Sequence, residues 1–149
     1  QALVILGLDY LREWVYLMGM QRVTRNDNVE LMRLSVLTAK FCKRIALLIP
    51  DAARESDSYY LMGLLSMVVY GGERALAQAL EEFPLTNNIK NGLLRRGGIY
   101  SDVFEMAEFY IHGDWESFDE IAERYMLDKA AVSDAFLACV KESERIKML

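Results

Sequence analysis

Few residues in this sequence could support catalysis, and they are widely spaced. The chain of 149 residues has one histidine, His112, and two cysteines, Cys42 and Cys139, which lie 97 positions apart. Histidine-based metal sites usually combine several imidazoles and carboxylates at fixed spacing, and a nucleophilic cysteine needs an adjacent base. His112 precedes Gly113, as is typical of a helix C-terminus, and both cysteines lie in apolar helical patterns. We therefore predict structural roles for all three residues.

Paired carboxylates in the last third of the chain are the other candidates for chemistry. Glu105 and Glu108 share one predicted helix face, as do Glu116 and Glu120. Such pairs can support acid–base catalysis or bind a hard cation. A solvated acidic helix face explains the same spacing without any ligand. We predict the solvated face and keep a carboxylate-based metal site as the alternative.

No phosphate-binding or hydrolase motif accompanies these residues. Gly71-Gly72 and Gly97-Gly98 follow predicted helices and lack the GxGxxG and GxxxxGK patterns, and no GxSxG occurs. Tyr59, Tyr60 and Met62 could line a groove for a small molecule, but apolar stripes of this kind usually form core. The residues themselves predict no catalytic, cofactor-binding or metal site.

The elements that would position these side chains are helices. Apolar residues recur at spacings of three and four, and no window alternates with period two, so we predict an all-α fold. We expect one compact domain over residues 1–149, a multi-helix bundle of about eight helices. The predicted helices cover 2–20, 29–49, 57–70, 73–82, 84–96, 101–112, 115–125 and 128–147.

The boundaries of these helices are predicted from capping and breaking residues. A polar loop over 24–28 separates the first two helices, and Pro50 ends the second. The residues predicted to cap or close the helices are Asp27 or Asn28, Asp57 or Ser58, Gly97-Gly98, Asp114 and Asp128.

Charge is unevenly distributed along the chain. The formal net charge is −5, which argues against a general nucleic-acid binder. Residues 1–50 carry 7 basic and 4 acidic side chains, a net of +3, whereas residues 101–149 carry 5 and 12, a net of −7. Either these charges form solvated helix faces with some favourable contact between the two ends, or the acidic end faces a basic partner.

The apolar beginning of the chain resembles neither a signal peptide nor a membrane span. Asp9, Arg12 and Glu13 interrupt it well before the ~20 apolar residues that a span requires. The cysteine usage fits a reducing compartment better than a disulfide scaffold. We therefore predict a cytoplasmic protein without membrane or nucleic-acid contacts.

Residues 57–70, DSYYLMGLLSMVVY, carry a more specific signal. They resemble the central helix of HD-superfamily domains, in which a pattern of the type AFLAGLLHDIG holds the metal-binding His-Asp pair. The Gly-Leu-Leu is present as residues 63–65, but Ser66 and Met67 stand at the His and Asp positions. Neither side chain suits a hard metal ion of that kind. The degenerate pattern is similar to the HDOD domain, a catalytically inactive relative of HD phosphohydrolases.

The resemblance extends over nearly the whole chain. Residues 2–12 resemble the first HDOD segment, whereas residues 83–85, 97–98 and 110–116 resemble the C-terminal part of bacterial EAL–HDOD proteins, the YuxH-like group. The resemblance implies a non-catalytic regulatory or protein-interaction domain in bacterial signal transduction, linked to cyclic di-GMP through an upstream EAL domain.

The same resemblance implies that the chain is a C-terminal fragment of a longer protein. Its expected partners are the upstream EAL domain, other proteins or a second copy of the chain. The EAL motifs themselves do not occur in this sequence, so no nucleotide site is transferred to any residue. Two alternatives are a residual metal-dependent phosphohydrolase and a small-molecule sensor.

Overall fold

The computed structural model describes residues 25–69 and 86–144, and these ranges are helical without any strand. The α-helices are α1 Arg25–Leu47, α2 Ser56–Val69, α3 Asn87–Leu93, α4 Ile99–His112, α5 Trp115–Arg124 and α6 Lys129–Glu144, with a 3-10 turn, Ala53–Glu55, before α2. The all-α prediction is confirmed for these ranges. The predicted helices over 2–20 and 73–82 lie outside the described residues, so the count of eight stays a prediction.

Three helices, α1, α2 and α4, begin earlier than predicted. The chain is already helical at Arg25, so the loop predicted up to Asn28 is wrong there, and neither Asp27 nor Asn28 is a cap. Asp and Asn each disfavour a helix interior by less than about 1 kcal/mol, and the packing of a 23-residue helix outweighs that cost. Likewise α2 begins at Ser56, directly after the 3-10 turn, so Asp57 lies in its first turn rather than before it.

The Gly97-Gly98 pair also acts differently from the prediction. Both glycines have positive φ, 93° and 90°, and they form the connection between α3 and α4. The helix predicted over 84–96 ends at Leu93, while α4 begins at Ile99, immediately after Gly98. Positive φ interrupts a right-handed helix, so the two glycines separate the helices instead of closing the first one.

The predicted caps Asp114 and Asp128 are confirmed. The Asp114 carboxylate accepts from the Ser117 backbone N–H at 3.2 Å and caps α5, while that of Asp128 accepts from the Ala130 N–H at 3.0 Å at the start of α6. Within the described ranges, no helix is both long and apolar enough to cross a membrane.

The core forms where α1 pairs with α2 and where α4 and α6 pack on α1. Tyr110 of α4 lies at the centre of an aromatic cluster that joins four helices. Its ring lies 5.2 Å from Phe41 of α1, 4.9 Å from Phe136 of α6, and 4.8 and 5.1 Å from Trp115 and Phe118 of α5. Phe41 and Phe136 also meet edge to face at 5.2 Å. The cluster therefore fixes α5 and α6 to the rest of the bundle.

Among the described helices, three end in the same hydrogen-bonded turn, with a left-handed residue after the last turn. Gly113 takes that position after α4, as glycine usually does, with φ 78°. Arg95 takes it after α3 with φ 55°, and Met126 after α5 with φ 52°. The Arg95 side chain has tertiary contacts, because it pairs with Glu108 at 2.9 Å and covers the Phe104 ring at 5.5 Å.

Met126 lacks the compensation that Arg95 has, since its side chain is 90% exposed. We expect Met126→Gly to raise the free energy of unfolding by up to about 1 kcal/mol, because glycine adopts positive φ without the steric cost of a Cβ. Arg95→Gly is the matched comparison and should be neutral or destabilising, since it removes the contacts to α4. Urea denaturation of both variants measures the difference; a loss of stability in Met126→Gly would contradict this account.

Candidate functional site

Ser66 and Met67, which stand where the HD-type pattern has its His-Asp pair, lie on α2. Ser66 is buried, with 6% of its surface exposed, and its hydroxyl donates to the Gly63 carbonyl oxygen at 2.5 Å. The Ser66 hydroxyl proton is therefore donated to a carbonyl oxygen within α2. Met67 is helical in its backbone, and its side chain lies outside the described residues. The surroundings of Ser66 are those of a satisfied core residue.

The neighbouring Gly63 marks the closest approach between α1 and α2. A Cβ at Gly63 would lie 2.5 Å from the Ala39 Cα and 2.8 Å from the Thr38 carbonyl oxygen. One turn away, the buried Ser35 hydroxyl donates to the Leu64 carbonyl oxygen at 2.7 Å. Gly63 and Leu64 of the Gly-Leu-Leu motif therefore have a structural role, since they lie where α1 and α2 cross.

The predicted acidic pairs do not meet at one site. Glu108 pairs with Arg95, Glu105 is half-buried on α4, and Glu116 and Glu120 are exposed on α5. Among the residues that the structure describes, no three His, Cys, Asp or Glu side chains are grouped so that they could hold a metal ion.

The remaining residues with reactive side chains occupy structural positions. His112 is the last residue of α4, as predicted, and its side chain is exposed. Cys42 and Cys139 are free thiols that are fully buried. Burial raises the pKa of both thiols, that of Cys139 to about 11, and the Cys139 thiol contributes to the shift at Cys42. Both therefore stay protonated near neutral pH, where a thiol is a poor nucleophile.

The tyrosines proposed for a ligand groove divide between core and surface. Tyr59 is buried and stacks on Tyr100, with ring centroids 4.0 Å apart and an interplanar angle of 9°. The Tyr100 hydroxyl donates to the Glu55 carboxylate. Met62 is fully buried. Tyr60, which is half-buried, lines a surface depression.

The depression beside Tyr60 contains a cluster of charges that joins the two ends of the chain. Lys40 and Arg44 lie one turn apart on α1, and both donate to the carboxylate of Glu142 on α6, at 2.9 and 2.8 Å. Lys43, between them in sequence, pairs with Asp57 at 3.1 Å. The expected contact between the basic beginning and the acidic end of the chain is confirmed in this cluster. The individual partners could not be predicted, because about 100 residues separate them.

The cluster makes stability depend on pH through Glu142. Hydrogen bonds from Lys40 lower the pKa of Glu142 below its ordinary value near 4.5, while partial burial opposes the shift. Because the folded-state pKa is depressed, this carboxylate stabilises the fold above its ordinary pKa, and the contribution disappears as the pH falls through the folded-state pKa. The side chain is 34% exposed, so the contribution is screened by solvent.

We expect Glu142→Gln to lower the free energy of unfolding by about 0.5–1 kcal/mol at pH 7. The difference from the native protein should vanish in acid, once the native carboxylate is also protonated. Thermal denaturation between pH 7 and pH 3 measures it, with Glu144→Gln as an exposed control on the same helix. A difference that persists at low pH would mean that packing, rather than charge, is responsible.

These features define an all-helical arrangement over the described residues, in which Ser66 of α2 is a core residue. No protein-family model matches the sequence, and no solved structure matches it. Two curated proteins are similar over nearly the whole chain. The "Uncharacterized protein YuxH" of Bacillus subtilis is 22% identical over 144 residues, which cover 95% of this chain and 34% of that protein.

The second relative has a more informative name. It is the "Cyclic di-GMP phosphodiesterase CdgJ" of Vibrio cholerae, which is 26% identical over 149 residues, covering 100% of this chain and 34% of that protein. The chain thus spans about a third of the length of the curated relatives it matches.

Proposed function

We propose that this chain is a non-catalytic regulatory domain of the HDOD type in bacterial cyclic di-GMP signalling. The assignment to cyclic di-GMP signalling is supported by the name of the Vibrio cholerae relative. The assignment to the HDOD type is supported by the HD-like pattern around Gly63. The domain regulates a phosphodiesterase of the EAL class, either linked to it in one chain or bound as a partner. It acts in the cytoplasm, where cyclic di-GMP is made and degraded.

The surroundings of Ser66 carry the non-catalytic part of the proposal. A metal-dependent phosphohydrolase needs several ligands and a free coordination position around a hard cation. Here Ser66 satisfies its hydroxyl within α2, and His112, the one imidazole in the sequence, is exposed at the far end of α4. The resulting helix is suited to packing rather than to coordination.

Exposed side chains on α5 and α6 supply a surface for protein contacts. Trp115 and Leu137 are each 55% exposed. Glu116, Glu120 and Glu123 are exposed on α5 at spacings of four and three, so they share a face of that helix. A partner for this face carries basic side chains, because an acidic surface attracts them and orients their approach.

The test uses the full-length gene product and measures hydrolysis of cyclic di-GMP. We expect Glu116→Gln combined with Glu120→Gln to change the rate of the linked EAL domain, since this pair alters the contact face without touching the core. Ser66→Ala is the matched control and should leave the rate unchanged. The isolated chain should not hydrolyse cyclic di-GMP with either Mg²⁺ or Mn²⁺ added.

Two results would overturn the proposal. Metal-dependent turnover by the isolated chain that Ser66→Ala abolishes would favour the phosphohydrolase alternative. Deletion of residues 1–149 from the full-length protein, with no change in hydrolysis or partner binding, would exclude a regulatory role.

A further inference from the structure

The depression between α1 and α6 has the composition of an anion site. Its volume is about 350 Å³, and it is lined by Lys40, Lys43, Arg44, Leu47, Tyr60 and Glu142. Ligand sites in proteins begin at about 300 Å³. Three of the six lining side chains are cations on two successive turns of one helix.

An oxyanion already occupies this cluster, namely the carboxylate of Glu142. One of its oxygens lies 2.9 Å from the Lys40 Nζ and the other 2.8 Å from an Arg44 Nη. The two cations are thus positioned to hold two oxygens of one anionic group. Arginine recognises phosphate with the same planar donor geometry that it presents to a carboxylate, and lysine adds a point charge.

We propose that this depression binds a small phosphate-bearing anion, which takes the place of the Glu142 carboxylate on Lys40 and Arg44. The exchange is feasible, because ion pairs of this exposure contribute little net stability, whereas a phosphate group offers more charge and more acceptor oxygens than a carboxylate. Lys43 lies on the same wall, and the ligand can recruit it from its exposed pair with Asp57.

Binding at this site has a structural consequence for α6. Glu142 lies in the last described turn of α6, and its two ion pairs join that turn to α1. A ligand that displaces the carboxylate removes this connection and leaves the aromatic contact through Phe136 in place. The site therefore couples an anion to the attachment of the end of α6, independently of the protein partner proposed above.

The test is calorimetric titration of the protein with inorganic pyrophosphate and with adenosine diphosphate at low ionic strength, where electrostatic binding is least screened. We expect saturable binding that Arg44→Gln and Lys40→Gln each weaken about tenfold, a loss of about 1.4 kcal/mol. Glu142→Gln should tighten binding about fivefold, because the internal competitor loses its charge. Arg124→Gln is the matched control, since it removes a cation from another exposed ion pair, with Asp102 at 3.7 Å.

We expect Lys43→Gln to weaken binding as well. This variant leaves the Glu142 contacts intact, so the weaker binding cannot be attributed to loosening of α6. Tyr60→Leu separates the two kinds of ligand. A loss of affinity for adenosine diphosphate alone would indicate a nucleotide that stacks on the ring, and equal affinities for both probes would indicate phosphate recognition only.

The proposal fails if Glu142→Gln binds neither probe saturably while its circular dichroism remains native. It also fails if Arg124→Gln weakens binding as much as Arg44→Gln does, because that result would show diffuse electrostatic attraction.

Discussion

Gly63→Ala is expected to lower the free energy of unfolding by about 3 kcal/mol or more. The added methyl group would lie 2.5 Å from the Ala39 Cα and 2.8 Å from the Ala39 backbone nitrogen, both fixed atoms of α1. A side chain could rotate away from such a contact, but a helix backbone cannot. The two helices must separate, which disturbs the buried hydrogen bond from Ser35 to Leu64 and the core around it.

Gly92→Ala is the matched control, because it adds the same methyl group within another helix. There the nearest atom is the Met62 sulfur at 2.3 Å, in a flexible side chain. The gain in helix propensity from alanine, about 1 kcal/mol, applies at both positions and does not affect the comparison. We expect a clearly smaller loss than at Gly63. Urea denaturation followed by circular dichroism compares the two, and similar losses would show that the backbone contact at Gly63 is no more costly than the side-chain contact at Gly92.

The contrast between these glycines illustrates what the sequence could predict. Apolar periodicity identified the helices over residues 29–49, 57–70, 101–112 and 115–125, because a long amphipathic pattern is a strong signal. The exact starts at Arg25 and Ser56 were missed, since tertiary packing decides whether a polar first turn is helical. The resemblance drew attention to Gly63, but only the structure shows which backbone it approaches.

The charge cluster was harder to predict than the fold. The opposite net charges of the two ends indicated a contact between them, yet 102 positions separate Lys40 from Glu142. Sequence spacing gives no information about contacts at that range, because they depend on how α6 returns to α1.

Phe41→Ala is expected to cost about 3–5 kcal/mol, a large part of the roughly 5–15 kcal/mol that stabilises a typical domain. Phe41 is fully buried on α1 and contacts Tyr110 of α4 and Phe136 of α6, each with ring centroids 5.2 Å away. Removing the ring leaves a cavity at the point where three helices meet, and the packing of a bundle closes such a cavity only partly.

The loss should be unequal across the bundle, because α1 and α2 keep their own crossing at Gly63 whereas α6 depends on α1. Amide hydrogen exchange should therefore increase more in α6 than in α2, as expected when one element opens by itself. Leu137→Ala, which alters an exposed residue of α6, is the control and should change stability by no more than about 0.5 kcal/mol. Uniform loss of protection in Phe41→Ala would show that the bundle unfolds as one unit and that α6 does not open by itself.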